Sequence, residues 1–246
     1  MINIKTPEEI EIMRIGGGIS AGALKEAFLH VKAGVTTKAI DSVVEEYILS
    51  HGATPGFKTV ENYPYATCIN VNAGIVHGVP NKYVLKRGDI VSIDLGALYK
   101  GFHTDLSYTI EVETDNEAKF LNAGKHALEK AIMMCRVGNR IGDISSTIQT
   151  LVEGQGYTVS ELLVGHGVGR ELHEDPYVPC LGVSGTGPHI KAGMVLAVEV
   201  IYQKGKPDIM LEPDGWTYST SDGSLSALFE KTVAIEKSGF SVLTDY

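Results

Sequence analysis

The sequence predicts an α+β fold: one antiparallel sheet with helices packed on one of its faces. Three observations predict it. Two stretches with helical apolar spacing open each half of the chain, and runs rich in β-formers follow them. The chain also matches itself at an offset of 104 residues: Gly34 with Gly138, Ile40 with Ile144, Ala27 with Ala131, Gly52 with Gly156, and Ala23-Leu24 with Ala127-Leu128. Two copies at one offset predict a pseudo-two-fold arrangement and not a solenoid. No linker rich in Pro, Gly or Ser separates the halves, so residues 1–246 read as a single domain with halves of about 1–112 and 113–246.

Each element has a local cause. Thr6-Pro7-Glu8-Glu9 is a helix start: a capping hydroxyl, Pro at the first helical position, and acids in the first turn. Apolar residues from Ile10 to Phe28 continue that helix, although Gly16-Gly17-Gly18 should weaken it. Thr37 is the expected cap of a second helix that carries Ile40, Val43, Val44 and Tyr47 and ends near Gly52. Strands are expected at 66–72, 89–99 and 102–112, the last two joined by a hairpin at Tyr99-Lys100-Gly101. Helices return at 117–134 and about 143–153, and strands at 194–202 and 228–235. Between those strands, Gly215 to Ser226 reads as a polar loop holding the one tryptophan.

Composition narrows the function. Apolar content of 43% and charged content of 21% are those of a globular protein. A net charge of −9 without a basic cluster argues against nucleic-acid or anionic-membrane partners. No apolar run is long enough to span a bilayer, and the first residues lack the core of a signal peptide, so a cytoplasmic location is expected. The three cysteines, Cys68, Cys135 and Cys180, form no CxxC pair and read as reduced buried thiols.

The segment Val164 to Pro176 places His166 and His173 seven residues apart among Gly165, Gly167 and Gly169, where imidazoles can be presented to a site. Elsewhere, carboxylates interrupt apolar strands. Alternation puts Val91, Ile93 and Leu95 on one face and Ser92, Asp94 and Gly96 on the other. Asp105 lies across the hairpin from Asp94, and Glu199 and Glu230 repeat the arrangement. One such acid is ordinarily solvent-facing; four in β-rich runs strain that reading. Converging carboxylates repel, and divalent cations relieve the repulsion. Carboxylates with one imidazole suit Mn, Fe(II), Co or Zn, with His166 the natural nitrogen donor. Two such cations would activate a water for hydrolysis of peptides, esters or phosphates. No HExxH, GxSxG or Walker sequence is present. His103, beside Asp105, could orient it, whereas His30, His51, His126 and His189 read as solvated.

Taken in order, these residues resemble type I methionine aminopeptidases. The likeness rests on His77 in Asn72-Ala-Gly-Ile-Val-His-Gly-Val-Pro, Asp94 and Asp105, Gly165-His166-Gly167-Val168-Gly169 with His173, Glu199, Asp214-Gly215-Trp216-Thr217, Ser224-Leu225-Ser226-Ala227 and Glu230. It runs from Ile4 almost to the C-terminus. The Gly-His-Gly motif and acids alone fit the wider pita-bread superfamily; the short length, Asp-Gly-Trp-Thr and His77-Gly-Val-Pro favour the methionine branch over the proline-directed one.

The resemblance implies a pita-bread fold and two divalent metal ions per chain. Asp94 would hold one metal, Asp105 and Glu230 would bridge both, and His166 and Glu199 would complete the second. It implies hydroxide attack on the carbonyl carbon of an N-terminal methionine, with Glu199 passing the proton to the leaving amine. His173 would bind the oxyanion and His77 would steady the scissile amide or the next residue. Tyr63, Cys68, Leu172 and Trp216 match positions lining the methionine pocket. Substrates would be nascent polypeptide N-termini with a small second residue, met near the ribosome by a monomer. By that rule a chain beginning Met1-Ile2 keeps its own methionine. Three positions depart from the family pattern: Val60 replaces a common aromatic, Val200 a proline after Glu199, and Lys231 a histidine after Glu230. They bear on pocket shape, rate and metal preference. A proline-directed aminopeptidase and a non-catalytic peptide-binding module are the competing readings.

Overall fold

The computed structural model describes residues 1–246. Four helices are α1 (Pro7–His30), α2 (Thr37–Ser50), α3 (Ala118–Ile132) and α4 (Ile141–Glu153). In the first half the strands are β1 (Thr54–Pro55), β2 (Thr67–Val71), β3 (Gly74–Val76), β4 (Ile90–Tyr99) and β5 (Phe102–Glu111). In the second half they are β6 (Thr158–Val159), β7 (Val164–Gly167), β8 (Glu174–Pro179), β9 (Val195–Gln203), β10 (Ile209–Leu211), β11 (Tyr218–Thr220), β12 (Ser226–Glu236) and β13 (Gly239–Val242).

The main sheet runs β1-β4-β5-β12-β9-β7-β8, with β2 also on β4, β6 also on β9, and β13 on β12. Its pairings are antiparallel, and the order mirrors itself about the β5–β12 contact. β4 carries two short strands outside it, β1 and β2, and β9 carries β6 and β7. The matched glycines occupy corresponding turns in left-handed conformation: Gly34 and Gly138 at φ 92° and 102°, Gly52 and Gly156 at 75° and 82°. Two apolar cores lie on the helix side. Val91, Ile93 and Leu95 pack with α1 and α2, and Leu196, Val198 and Val200 pack with α3 and α4.

Local predictions hold with three corrections. Helix α1 begins with a capping box: Glu9 N–H donates to Thr6 Oγ1 and Thr6 N–H to Glu9 Oε2, worth about 1 kcal/mol. The glycine run does not interrupt it, because Gly17 serves a contact: a Cβ there would stand 2.1 Å from the Leu243 carbonyl oxygen. The cap of α2 is Thr36, not Thr37; the Thr37 hydroxyl is buried and bonds the Asn81 backbone instead. The stretch from Gly215 to Ser226 is not wholly loop. It contains β11, which pairs with β3 and β10 in a second, three-stranded sheet. Three residues are too few to display alternation, so only the partners reveal the strand. The β4–β5 hairpin turns through Lys100 and Gly101, both at positive φ, as a two-residue loop requires.

Candidate metal centre

Register brings the acids together. Directly opposed residues of antiparallel strands project from the same face. Asp94 opposes Ser107, Ser107 opposes Glu230, and Glu230 opposes Glu199, which makes one row across β4, β5, β12 and β9. A parallel row runs two residues along. Gly96 opposes Asp105, Thr232 opposes Ala197, and Ala197 opposes His166 on β7. The Thr232 hydroxyl closes this row, accepting from Asp105 N–H at 2.9 Å and donating to the Asp105 carbonyl at 2.7 Å. Ser107, Gly96, Thr232 and Ala197 are small, so the two rows leave space between the five larger side chains. Both rows face away from the helices.

Asp94, Asp105, His166, Glu199 and Glu230 all line one cavity of about 500 Å³. Ligand atoms of Asp105, His166 and Glu230 lie within 4.8 Å of one another. His166 Nε2 is 3.8 Å from Asp105 Oδ2 and 3.7 Å from Glu199 Oε1. Its Nδ1 lies 2.9 Å from the Gly167 carbonyl, which can only accept; Nδ1 therefore carries the proton and Nε2 presents a lone pair to the acids.

The electrostatics are those of a site short of positive charge. Burial, then the charges of Asp105 and Glu199, push Asp94 well above the usual carboxylate range. Burial, then Asp105, does the same to Glu199, and burial followed by its three acidic neighbours does so to Glu230. Burial lifts Asp105 to about 8. Burial and the neighbouring His173 hold His166 down to about 4, so it is neutral. Asp94 Oδ1 and Glu230 Oε1 are buried with no hydrogen-bond partner. Such atoms are costly unless something positive meets them. Four carboxylates and one imidazole with orphaned oxygens fit hard divalent cations.

The expected substrate-binding residues share the cavity. Tyr63, Cys68 and Leu172 are buried in one apolar cluster with Phe57, and Trp216 packs against it. The rings of Tyr63 and Trp216 meet edge-on at 5.0 Å, and the Tyr63 hydroxyl donates to the Thr67 carbonyl at 2.8 Å. Cys68 opposes Asp94 across β2 and β4, so this apolar wall abuts the acids. His173 lies with its ring 4.4 Å from that of His166. His77 lines the cavity mouth in a left-handed conformation, φ 57°. That strain is held by Asn70 Oδ1, which accepts from Gly78 N–H, and by the Thr217 hydroxyl, which accepts from Val79 N–H. The surrounding walls, and His173, lower the His77 pKa.

Comparison with known proteins agrees with this geometry. The model of metallopeptidase family M24 matches residues 11–237. The chain belongs to metallopeptidase family M24. Among M24 relatives, it is 44% identical to a methionine aminopeptidase of Clostridium perfringens, over 99% of both chains. The crystal structure of a methionine aminopeptidase from Thermotoga maritima superposes at a TM-score of 0.97, with 44% identity and full coverage of both chains. A Pyrococcus furiosus prolidase superposes at 0.80 with 27% identity, and the chain covers 65% of it. The pita-bread architecture of M24 enzymes is the fold described above.

Of the three departures from the methionine aminopeptidase pattern, two turn away from the cavity. Val200 is fully buried on the helix side of β9. Lys231 also points away from the acids, pairing with Asp245 at 2.6 Å and lying over the Tyr246 ring. Only Val60 lines the site. His103 is buried beside Asp105, but its ring bonds none of the acids and its Nδ1 has no partner. Sequence reasoning overlooked Phe57, Val76, Leu162, Leu163, Val164, Tyr177 and Ile201 as cavity-lining residues. Ile201 was findable, since it follows Glu199 by two and shares its face. The others come from loops, a short helical turn, the short strands β3 and β7 and the strand after the His173 turn, where alternation did not single them out.

Proposed function

We propose that this M24 peptidase releases the N-terminal methionine of new polypeptides, with divalent cations held by Asp94, Asp105, His166, Glu199 and Glu230. The observation that carries the reading is one cavity joining this acid cluster to the apolar wall of Tyr63, Cys68, Leu172 and Trp216. The identity to methionine aminopeptidases supports the same substrate. Four clustered carboxylates call for two dications, because one would leave half their charge uncompensated.

Bound cations supply Lewis-acid polarisation of the scissile carbonyl and a water of lowered pKa. The protein contributes the rest. The methionine side chain rests on the apolar wall, which sheds water. Glu199 accepts the proton of the attacking water and returns it to the leaving amine. His173 donates to the carbonyl oxygen as negative charge develops there, a contribution of about 3 kcal/mol for one donor. His77, fixed by its strained backbone, orients the scissile amide and leaves room for only a small second residue. On this reading the enzyme works as a cytoplasmic monomer near the ribosome; no helix is long and apolar enough to cross a membrane. Gel filtration and co-sedimentation with ribosomes test those two points.

The decisive experiment is methionine release from Met-Ala-Ser by metal-stripped protein titrated with Mn, Fe(II), Co or Zn. Release should appear with metal and vanish in Asp105→Asn. Release from Xaa-Pro peptides instead would transfer the chain to the proline-directed branch. Failure to bind any divalent metal would leave a peptide-binding module, and metal binding without release would keep the site and reopen the substrate, with Val60, Val200 and Lys231 the residues to examine.

A further inference from the structure

The buried ion pair between Lys5 and Glu174 lies outside the reaction just described. Lys5 Nζ is 2.6 Å from Glu174 Oε2, with side chains only 4% and 3% exposed, and 169 residues separate them in the chain. Lys5 precedes α1, and its backbone N–H is fixed to the Gly193 carbonyl at 2.7 Å. Glu174 opens β8, follows His173 directly, and opposes Gly167 beside His166. Its second oxygen accepts from Glu171 N–H at 3.3 Å, so one carboxylate ties the segment before α1 to the turn that carries His173.

Two further observations give this pair a purpose. Gly169 lies beneath it: a Cβ there would stand 2.4 Å from Lys5 Cε and 2.8 Å from Glu174 Oε1. The last glycine of the Gly-His-Gly-Val-Gly motif is therefore required by the ion pair. A second pair of opposite polarity, Arg170 Nη2 to Glu9 Oε1 at 2.8 Å, joins the same turn to the first turn of α1. Beyond these, Leu172 is buried against Phe57, Tyr63 and Cys68, Arg170 lies over the Phe102 ring at 4.5 Å, and Glu174 pairs with Gly167; between them, residues 169–173 have two further backbone links, Gly169 N–H to the Glu171 carbonyl and His103 N–H to the Gly169 carbonyl. A buried ion pair contributes little net stability over an apolar pair of similar size. What an apolar pair would not supply is direction.

We infer that Lys5 and Glu174 are positioning residues for the reaction: they clamp the turn 169–174 against the segment before α1 and so set His173 at its distance from the acid cluster. The inference rests on His173 facing the substrate, as proposed above.

The test uses the full chain in four variants: Lys5→Met, Lys5→Met with Glu174→Leu, His173→Ala, and Lys5→Met with His173→Ala. Lys5→Met should lower kcat on Met-Ala-Ser by about tenfold, because small misplacements of a reacting group are costly, and should leave KM and metal stoichiometry near wild type. The apolar pair should regain the wild-type melting temperature without regaining kcat. In the His173→Ala background, Lys5→Met should cost nothing further. Wild-type kcat in Lys5→Met, recovery of kcat along with stability in the apolar pair, or additive losses with His173→Ala would each overturn the inference. Should Lys5→Met fail to fold, the apolar pair decides alone. Unchanged kcat in His173→Ala by itself would sink the role given to His173, and this inference with it.

Discussion

Thr232 shows how much of the centre depends on a residue that holds no cation. Its hydroxyl satisfies both the N–H and the carbonyl of Asp105, and its side chain occupies the row between Asp105 and Ala197. Thr232→Val keeps the shape and orphans two buried backbone groups, at about 1–3 kcal/mol each. Calorimetry should show a lower melting temperature and weaker Mn binding in Thr232→Val, and Thr232→Ser should restore both. His173 makes the complementary case. His173→Ala should lower kcat on the order of a hundredfold, the cost of one lost oxyanion donor, while the metal content of the purified protein stays unchanged. Parallel loss of metal would mean that His173 supports the ligands and not the substrate.

At the scale of elements, Gly17 marks a close approach between α1 and the C-terminal segment, with the Leu243 carbonyl where a methyl group would go. Gly17→Ala should therefore destabilise by about 1–3 kcal/mol despite the better helix propensity of alanine, and thermal melts would register it. The same glycine illustrates where the sequence misleads. Read locally, it weakens a helix; its reason lies more than two hundred residues away. Strand alternation, being local, made the face bearing Asp94 legible, and it did the same for Glu199 and Glu230. The apolar residues between them declared the opposite, helix-packed face. What alternation left open was adjacency, because the β5–β12 contact that unites the two acid-bearing strand pairs, β4–β5 and β9–β12, joins Ser107 to Glu230 and has no local trace. The resemblance named the side chains that this contact brings into one cavity. It did not extend to Thr232, Lys5 or Glu174, which act on backbone and turns rather than on substrate.

For the molecule as a whole, the acid cluster couples the two halves. Asp94 and Asp105 come from one, and His166, Glu199 and Glu230 from the other. Without cations, Asp105 holds its proton to about pH 8 in the folded state but only to about 4 unfolded, so folded protein binds more protons and loses stability as pH rises through that range. His166, held down to about 4, acts oppositely below its ordinary value near 6.5. Between about pH 6.5 and 8 the carboxylates act alone. The melting temperature of metal-free protein should fall across that window, and Asp105→Asn should flatten the fall. Saturating Mn should raise the curve, by about 2.7 kcal/mol at a hundredfold excess over Kd. A flat metal-free profile would contradict the raised pKa values. The two rows of acids also bear on how the sheet assembles. A slip of one residue in β9 or β12 would turn Glu199 or Glu230 into the apolar layer beneath the helices and bring Val198 or Phe229 out in its place. Each misplaced carboxylate would be an unpaired charge in hydrocarbon, so shifted pairings are penalised before any substrate is met. The residues that make the sheet reactive thereby proofread its alignment.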